Sequence, residues 1–185
     1  VMLSKIPPTD NLIAVERSGE LNLPDGISLR PNWSGERVED FGDLIMRALD
    51  DQPEILVLDE VRADHPQTIA PLLGDVEPPR LIWAFRGSSE PKRIQVSLGM
   101  LARMARPEAS EQAVYMLYKR MPFVIVLKRR RGYLQLSQIG EWQLGDDAGT
   151  TYYHELLRRE GDTWVCSGHK PTHSLLVNDV VWSND

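Results

Sequence analysis

Cysteine is almost missing from this chain: Cys166 stands alone among 185 residues. A lone thiol excludes an internal disulfide framework and fits a reducing compartment. Long apolar runs are missing too. Nothing approaches the ~18 consecutive apolar residues of a membrane-spanning helix, and the opening "VMLSKIPP" lacks the apolar core of a secretory signal. Its first residue, a valine, leaves open a fragment, a trimmed chain or a misplaced start. Positive charge is in short supply. A net charge of −6 argues against broad, sequence-independent binding to a nucleic-acid backbone. No internal repeat or low-complexity segment is found. The phosphate-binding loop G-x-x-x-x-G-K-[ST] occurs nowhere, and the one Gly168-His169-Lys170 has neither its glycine spacing nor a following helix.

What is present is a globular composition, 42% hydrophobic and 26% charged, in a length that fits one domain. Residues 1–6 read as the last turn of a helix stopped by Pro7 and Pro8. "NLIAVER" (11–17) and "GISLRPN" (26–32) read as strands, and "EILVLDE" (54–60) as a buried one. Residues 37–51 place Val38, Phe41, Leu44, Ile45 and Leu49 at helical spacing. A short helix is predicted over 66–75, a strand over 80–87, and helices over 90–105 and 108–120, with Pro91 near a first helical position. "FVIVLKRR" (123–130) is a fourth apolar strand. Beyond it, 133–144, 151–160 and 162–168 read as antiparallel strands, the first entered at Gly132.

Strands alternating with helices imply a mainly parallel sheet with flanking helices, an α/β fold, followed by an antiparallel extension. The division is placed at 1–130 and 131–185, within one domain.

Among these elements, "ILVLDEVRADHP" (55–66) ends a buried strand in Asp59 and Glu60, then Arg62. Two carboxylates there could hold magnesium and aim a water at a phosphate. They could equally form an ordinary polar strand end, with Glu60 held by Arg62 or by helix-terminal amides. Phosphoryl transfer is catalysed mostly by positioning and electrostatics, and losing one such contact costs about 3–4 kcal/mol. With the whole phosphate cradle absent, the ordinary strand end is the better reading.

The order of elements and several strings resemble the ATPases of type II and type IV secretion and pilus assembly, which are ring-forming, RecA-like motors. "IPPTDNLIAVERSGELNLP" is similar to the family's proline turn, strand and acidic box. "LIMRALDDQPEILVLDEVRADHP" is similar to its helix and Walker B strand, "RLIWAFRGSS" falls at its histidine box, and "FVIVLKRRRGYLQLSQIGEW" resembles its closing strands. The resemblance spans residues 7 to 145. It implies ATP and magnesium as ligands only if a phosphate loop precedes Val1, and no cofactor for this chain alone. It also implies a homo-oligomer in the cytoplasm, peripheral to a membrane at most, with the proteins of a secretion or pilus machine as partners and no nucleic acid.

Residue by residue, Glu16 and Glu60 match family acids and stand as vestigial catalytic candidates. Asp59, where the family has glycine, and Arg62 are nucleotide-binding candidates. Glu20 matches a further acid. Elsewhere the pattern breaks: Arg17 takes the place of the acidic box's second carboxylate, Met46 and Asp50 fall where two arginines are expected, and Trp83 and Phe85 replace threonine and histidine. If the likeness holds, a strand is missing inside the sheet, between "RLIWAF" and "FVIVLK". Unpaired edges are costly, so these two are expected to pair directly, or the C-terminal strands to fill the slot.

The remaining motifs are weaker. Arg17 would pair with Glu16. "KRRRGY" (128–133) reads as a solvated turn, with a phosphate or nucleic-acid contact as the alternative, and within a ring it could face an acidic neighbour. Of His65, His154, His169 and His173, only the last two are close in sequence, and Pro171 between them opposes a helical metal pair, so no metal site is expected. No G-x-S-x-G elbow accompanies any Ser-His-Asp set.

Overall fold

The computed structural model describes residues 11–21, 23, 26–32, 39–75, 77–146 and 150–173. The helix expected over 1–6, the position of Val38 and the tail beyond 173 lie outside them. The first half of the chain builds a four-stranded, all-parallel sheet in the order β2-β1-β3-β4, from β1 (Leu12–Val15), β2 (Ile27–Leu29), β3 (Ile55–Val61) and β4 (Arg80–Phe85). Strand β2 is shorter than its sequence suggests.

Helix α1 (Phe41–Asp50) starts later than periodicity predicts, because Asp40 caps it. The Asp40 carboxylate accepts from the Gly42 and Asp43 amides at 2.7 and 2.9 Å, and Asp43 reaches back to the Asp40 amide, a reciprocal box that satisfies otherwise orphaned donors. The segment after β3 is a 3-10 run, Pro66–Leu73, rather than an α-helix, and Pro71 inside it cannot donate an intrahelical bond. Arginines from the next two helices, α2 (Pro91–Ala105) and α3 (Ser110–Arg120), close its end: Arg106 donates to the Leu73 carbonyl, and Arg120 to those of Leu72 and Gly74.

The second half is a separate antiparallel meander, β5 (Phe123–Arg130), β6 (Tyr133–Leu144), β7 (Thr151–Glu160) and β8 (Thr163–Cys166), in that spatial order. This corrects the expectation for residues 123–130, which run antiparallel to β6 and belong to the second sheet. "RLIWAF" and "FVIVLK" do not pair, and among the described residues no C-terminal strand fills the slot. Among the described residues the outer edge of β4 has no partner strand. A two-residue loop explains the outcome, since so short a link can only join antiparallel neighbours.

The two sheets share one core. Its buried residues run from Ile13, Leu44, Leu56 and Leu72 through Leu101 and Leu117 to Val126 and Trp142. Trp142 of β6 is the joint: its ring lies 5.4 Å from Tyr118 of α3 and 4.9 Å from Tyr153 of β7. Tyr118 in turn donates to the Gln95 carbonyl at 2.7 Å, tying α3 to α2. On the opposite face of the parallel sheet, Leu21 and Leu23 pack over Ala14, Ile55 and Val57.

Candidate functional site

In open parallel sheets, ligand chemistry collects outside the carboxyl ends of the strands. Here that rim brings together Glu16 and Arg17 after β1, Asp59 and Glu60 at the end of β3, and Arg86 after β4. The register of β3 on β4 breaks between Leu58 and Val61, so Asp59 and Glu60 together occupy a bulge. Glu60 sits at φ 55°, a left-handed conformation that a glutamate adopts only at a cost. Bulges and such strained residues re-aim side chains next to functional sites. Replacing Glu60 with glycine is expected to raise stability by about 0.5–1 kcal/mol, the relief of left-handed strain exceeding glycine's entropy; urea denaturation would measure it.

Each carboxylate is nevertheless engaged internally. Glu16 has no solvent-accessible surface. Its carboxylate accepts from the Ser28 hydroxyl, from the Leu21 amide at 2.9 Å, and from Arg30 at 3.3 Å. Burial pushes its pKa up, but the bonds from Ser28 and Leu21 and the Arg30 charge more than offset this, and the acid is held below its ordinary value. Three of these donor atoms crowd Oε1 and one reaches Oε2, in a site with no solvent exposure.

Arg17 does not pair with Glu16, contrary to expectation. Its guanidinium lies 4.3 Å over the Phe41 ring and donates from Nε to the Glu60 carbonyl oxygen at 3.2 Å. One terminal nitrogen, Nη2, is buried with no hydrogen-bond partner among the described residues. Burial and the neighbouring Arg62 lower its pKa, while Glu60, Asp64 and Asp59 counteract them. A fixed cation thus stands among the strand-end acids.

Asp59 is half-buried, and burial raises its pKa; a backbone hydrogen bond from Arg17 opposes that, and Glu16, Glu60 and Glu20 reinforce it. Glu60 is paired with Arg86 at 3.6 Å, and Arg62 instead faces Asp64 at 3.4 Å. The expected Glu60–Arg62 pair does not form. Trp83, where the family pattern has threonine, buries its indole Nε1 without a partner among the described residues.

A second buried acid escaped the sequence reading. Glu141 on β6 has no exposed surface and accepts from the Thr172 amide and hydroxyl at 3.0 and 2.9 Å, from the His173 amide at 2.8 Å and from His173 Nδ1 at 2.6 Å. Burial works against its charge, yet these donors overcome it and bring the pKa down to about 2. His169 and His173 take different neighbours: His169 lies beside His154, ring centres 5.0 Å apart and planes tilted by 58°. Among the described residues no group of three or more histidines, cysteines or acids is placed to hold a metal. None of the described helices is long and apolar enough to cross a membrane.

Comparison with known proteins agrees at the level of the fold. No protein-family model matches the chain, and no curated protein does. Among solved structures it is similar to the VirB11 ATPase from the Brucella suis type IV secretion system, crystallised in complex with sulphate: TM-score 0.56, 16% identity, covering 76% of this chain. The aligned part spans 42% of that protein's length. The likeness is one of fold: an α/β chain whose architecture is shared with part of that structure.

Proposed function

We propose that the chain is a secretion-ATPase-like domain that does not hydrolyse ATP by itself and works through protein contacts. One observation carries this reading: of the strand-end acids that would handle magnesium and water, Glu16 is buried against Ser28, Leu21 and Arg30, and the Arg17 cation is fixed among the others, with Glu60 3.6 Å from the exposed Arg86. The chain has no phosphate loop. Several electrostatic contacts are missing together, each worth about 3–4 kcal/mol of barrier, so the candidate roles of Glu16, Asp59, Glu60 and Arg62 are vestigial.

Isothermal calorimetry of the 185-residue protein with magnesium and ATP tests this. No binding heat is expected at millimolar nucleotide; a micromolar Kd would overturn the proposal.

A second reading, the C-terminal portion of a genuine secretion-type ATPase, is favoured by the outer edge of β4 and the Trp83 ring nitrogen, both without a partner among the described residues. An exposed parallel edge is a template for another strand. Magnesium-ATP binding that emerges only when a segment bearing a phosphate loop is joined upstream would favour this reading. Under either reading the fold likeness supports an oligomeric, cytoplasmic component of a secretion or pilus machine.

A further inference from the structure

At the far end of the antiparallel sheet, β5 and β6 are joined by Arg131 and Gly132, both at positive φ, 50° and 86°. This is the pattern of a type I′ turn, which prefers asparagine, aspartate or glycine at both positions. An arginine at the first of them is strained, and such strain persists where the position serves something other than stability.

Charge at the tip is equally uncompensated. Lys128, Arg129, Arg130 and Arg131 are exposed and form no ion pair with any described residue, in a chain whose net charge is −6. Between them stand large apolar side chains: Tyr133 is 75%, Leu134 65% and Leu127 49% exposed. A recess behind the tip is lined by Lys128, Arg130, Gln135, Ser137 and Arg159, with no carboxylate in its wall. Arg159 is held in place there by Gln135 and Asp162.

From these features we infer that the β5–β6 hairpin is a docking tip for an anionic lipid surface, its cations meeting headgroup phosphates while Leu127, Tyr133 and Leu134 enter the interface. The mixture decides between anions. Aliphatic side chains beside the cations gain from contact with acyl chains, whereas single-stranded nucleic acid asks for a stacking platform of aromatics along an extended basic groove. Everything outside the tip is more acidic than the whole, which repels an anionic surface and leaves the hairpin as the orientation of approach. The inference goes beyond the nucleotide-site reading and does not depend on it.

Flotation with vesicles is the test. The protein should float with phosphatidylcholine vesicles containing about one-third phosphatidylglycerol and not with phosphatidylcholine alone, and salt should release it. Removing the charge of Arg129 and Arg130 with alanine should weaken binding roughly five-fold per arginine, about 25-fold together. Arg131→Asn separates function from folding: it should raise the melting temperature by a few degrees, as the turn chemistry demands, and still weaken vesicle binding. Equal binding to both vesicle types, none to either, or insensitivity to the double alanine variant would overturn the inference. So would retention of single-stranded oligothymidylate without vesicle binding, which would assign the tip to nucleic acid.

Discussion

Trp142→Ala is expected to destabilise the protein by about 3–5 kcal/mol, the cost of emptying a fully buried aromatic site. Trp142 is 1% exposed, and its ring is clasped between Tyr118 and Tyr153. The loss falls on the joint between the two sheets. The cavity opens between layers that share one core. Trp142→Phe retains much of the contact and should cost clearly less. Urea denaturation of the two variants gives the magnitudes. A second check is whether a single cooperative transition splits, the antiparallel sheet melting before the parallel one.

Acid should expose a different dependence. Glu141 titrates at about 2 when folded, against an ordinary value of 4.5. A depressed folded pKa means that the folded state holds the proton less tightly than the unfolded chain. Its contribution is therefore complete above pH 4.5 and is lost as pH falls toward 2. Discounted for solvent screening, the contribution is about 2 kcal/mol. Glu141→Gln removes the charge that gathers Thr172 and His173, leaving buried donors facing a poorer acceptor. It should cost a similar ~2 kcal/mol at pH 7. Stability measured from pH 6 to pH 2 should fall less steeply in this variant than in the native protein. Protease should also cut more readily near residues 167–173, which cross back over the sheet to reach Glu141.

Much of this architecture was legible beforehand, because apolar runs and helical spacing report burial directly. The alternation of strand and helix through "RLIWAF" gave a parallel sheet, and the texture after Gly132 gave antiparallel strands. Strand β5 was misplaced because "FVIV" reads alike in either sheet: an apolar run says that a strand is buried and not which neighbour it pairs with. The signal that corrects it was nevertheless present. Two residues, Arg131 and Gly132, cannot carry a chain from one sheet to another, so 123–130 and 133–144 had to be a hairpin.

The site was legible in residue type and opaque in pairing. Glu16 and Arg17 are adjacent in sequence, yet on leaving a strand adjacent side chains point to opposite sides. Glu16 finds Ser28 and Arg30 on the neighbouring β2 segment, and Arg17 reaches across to Glu60. The Glu141 latch joins positions 31 and 32 apart, and no local pattern marks such a pair.

With Glu16 buried against its own donors and the Arg17 cation standing beside Asp59 and Glu60, the strand-end rim is proposed not to take up a magnesium nucleotide. An amide-resolved NMR titration of the 185-residue protein with magnesium and ATP reads that rim directly. The account expects the amides of Glu16, Arg17 and Asp59 to Arg62 to stay where they are at millimolar nucleotide, with any movement confined to the basic hairpin. Saturable shifts at Arg17 and Glu60 at micromolar nucleotide would contradict it.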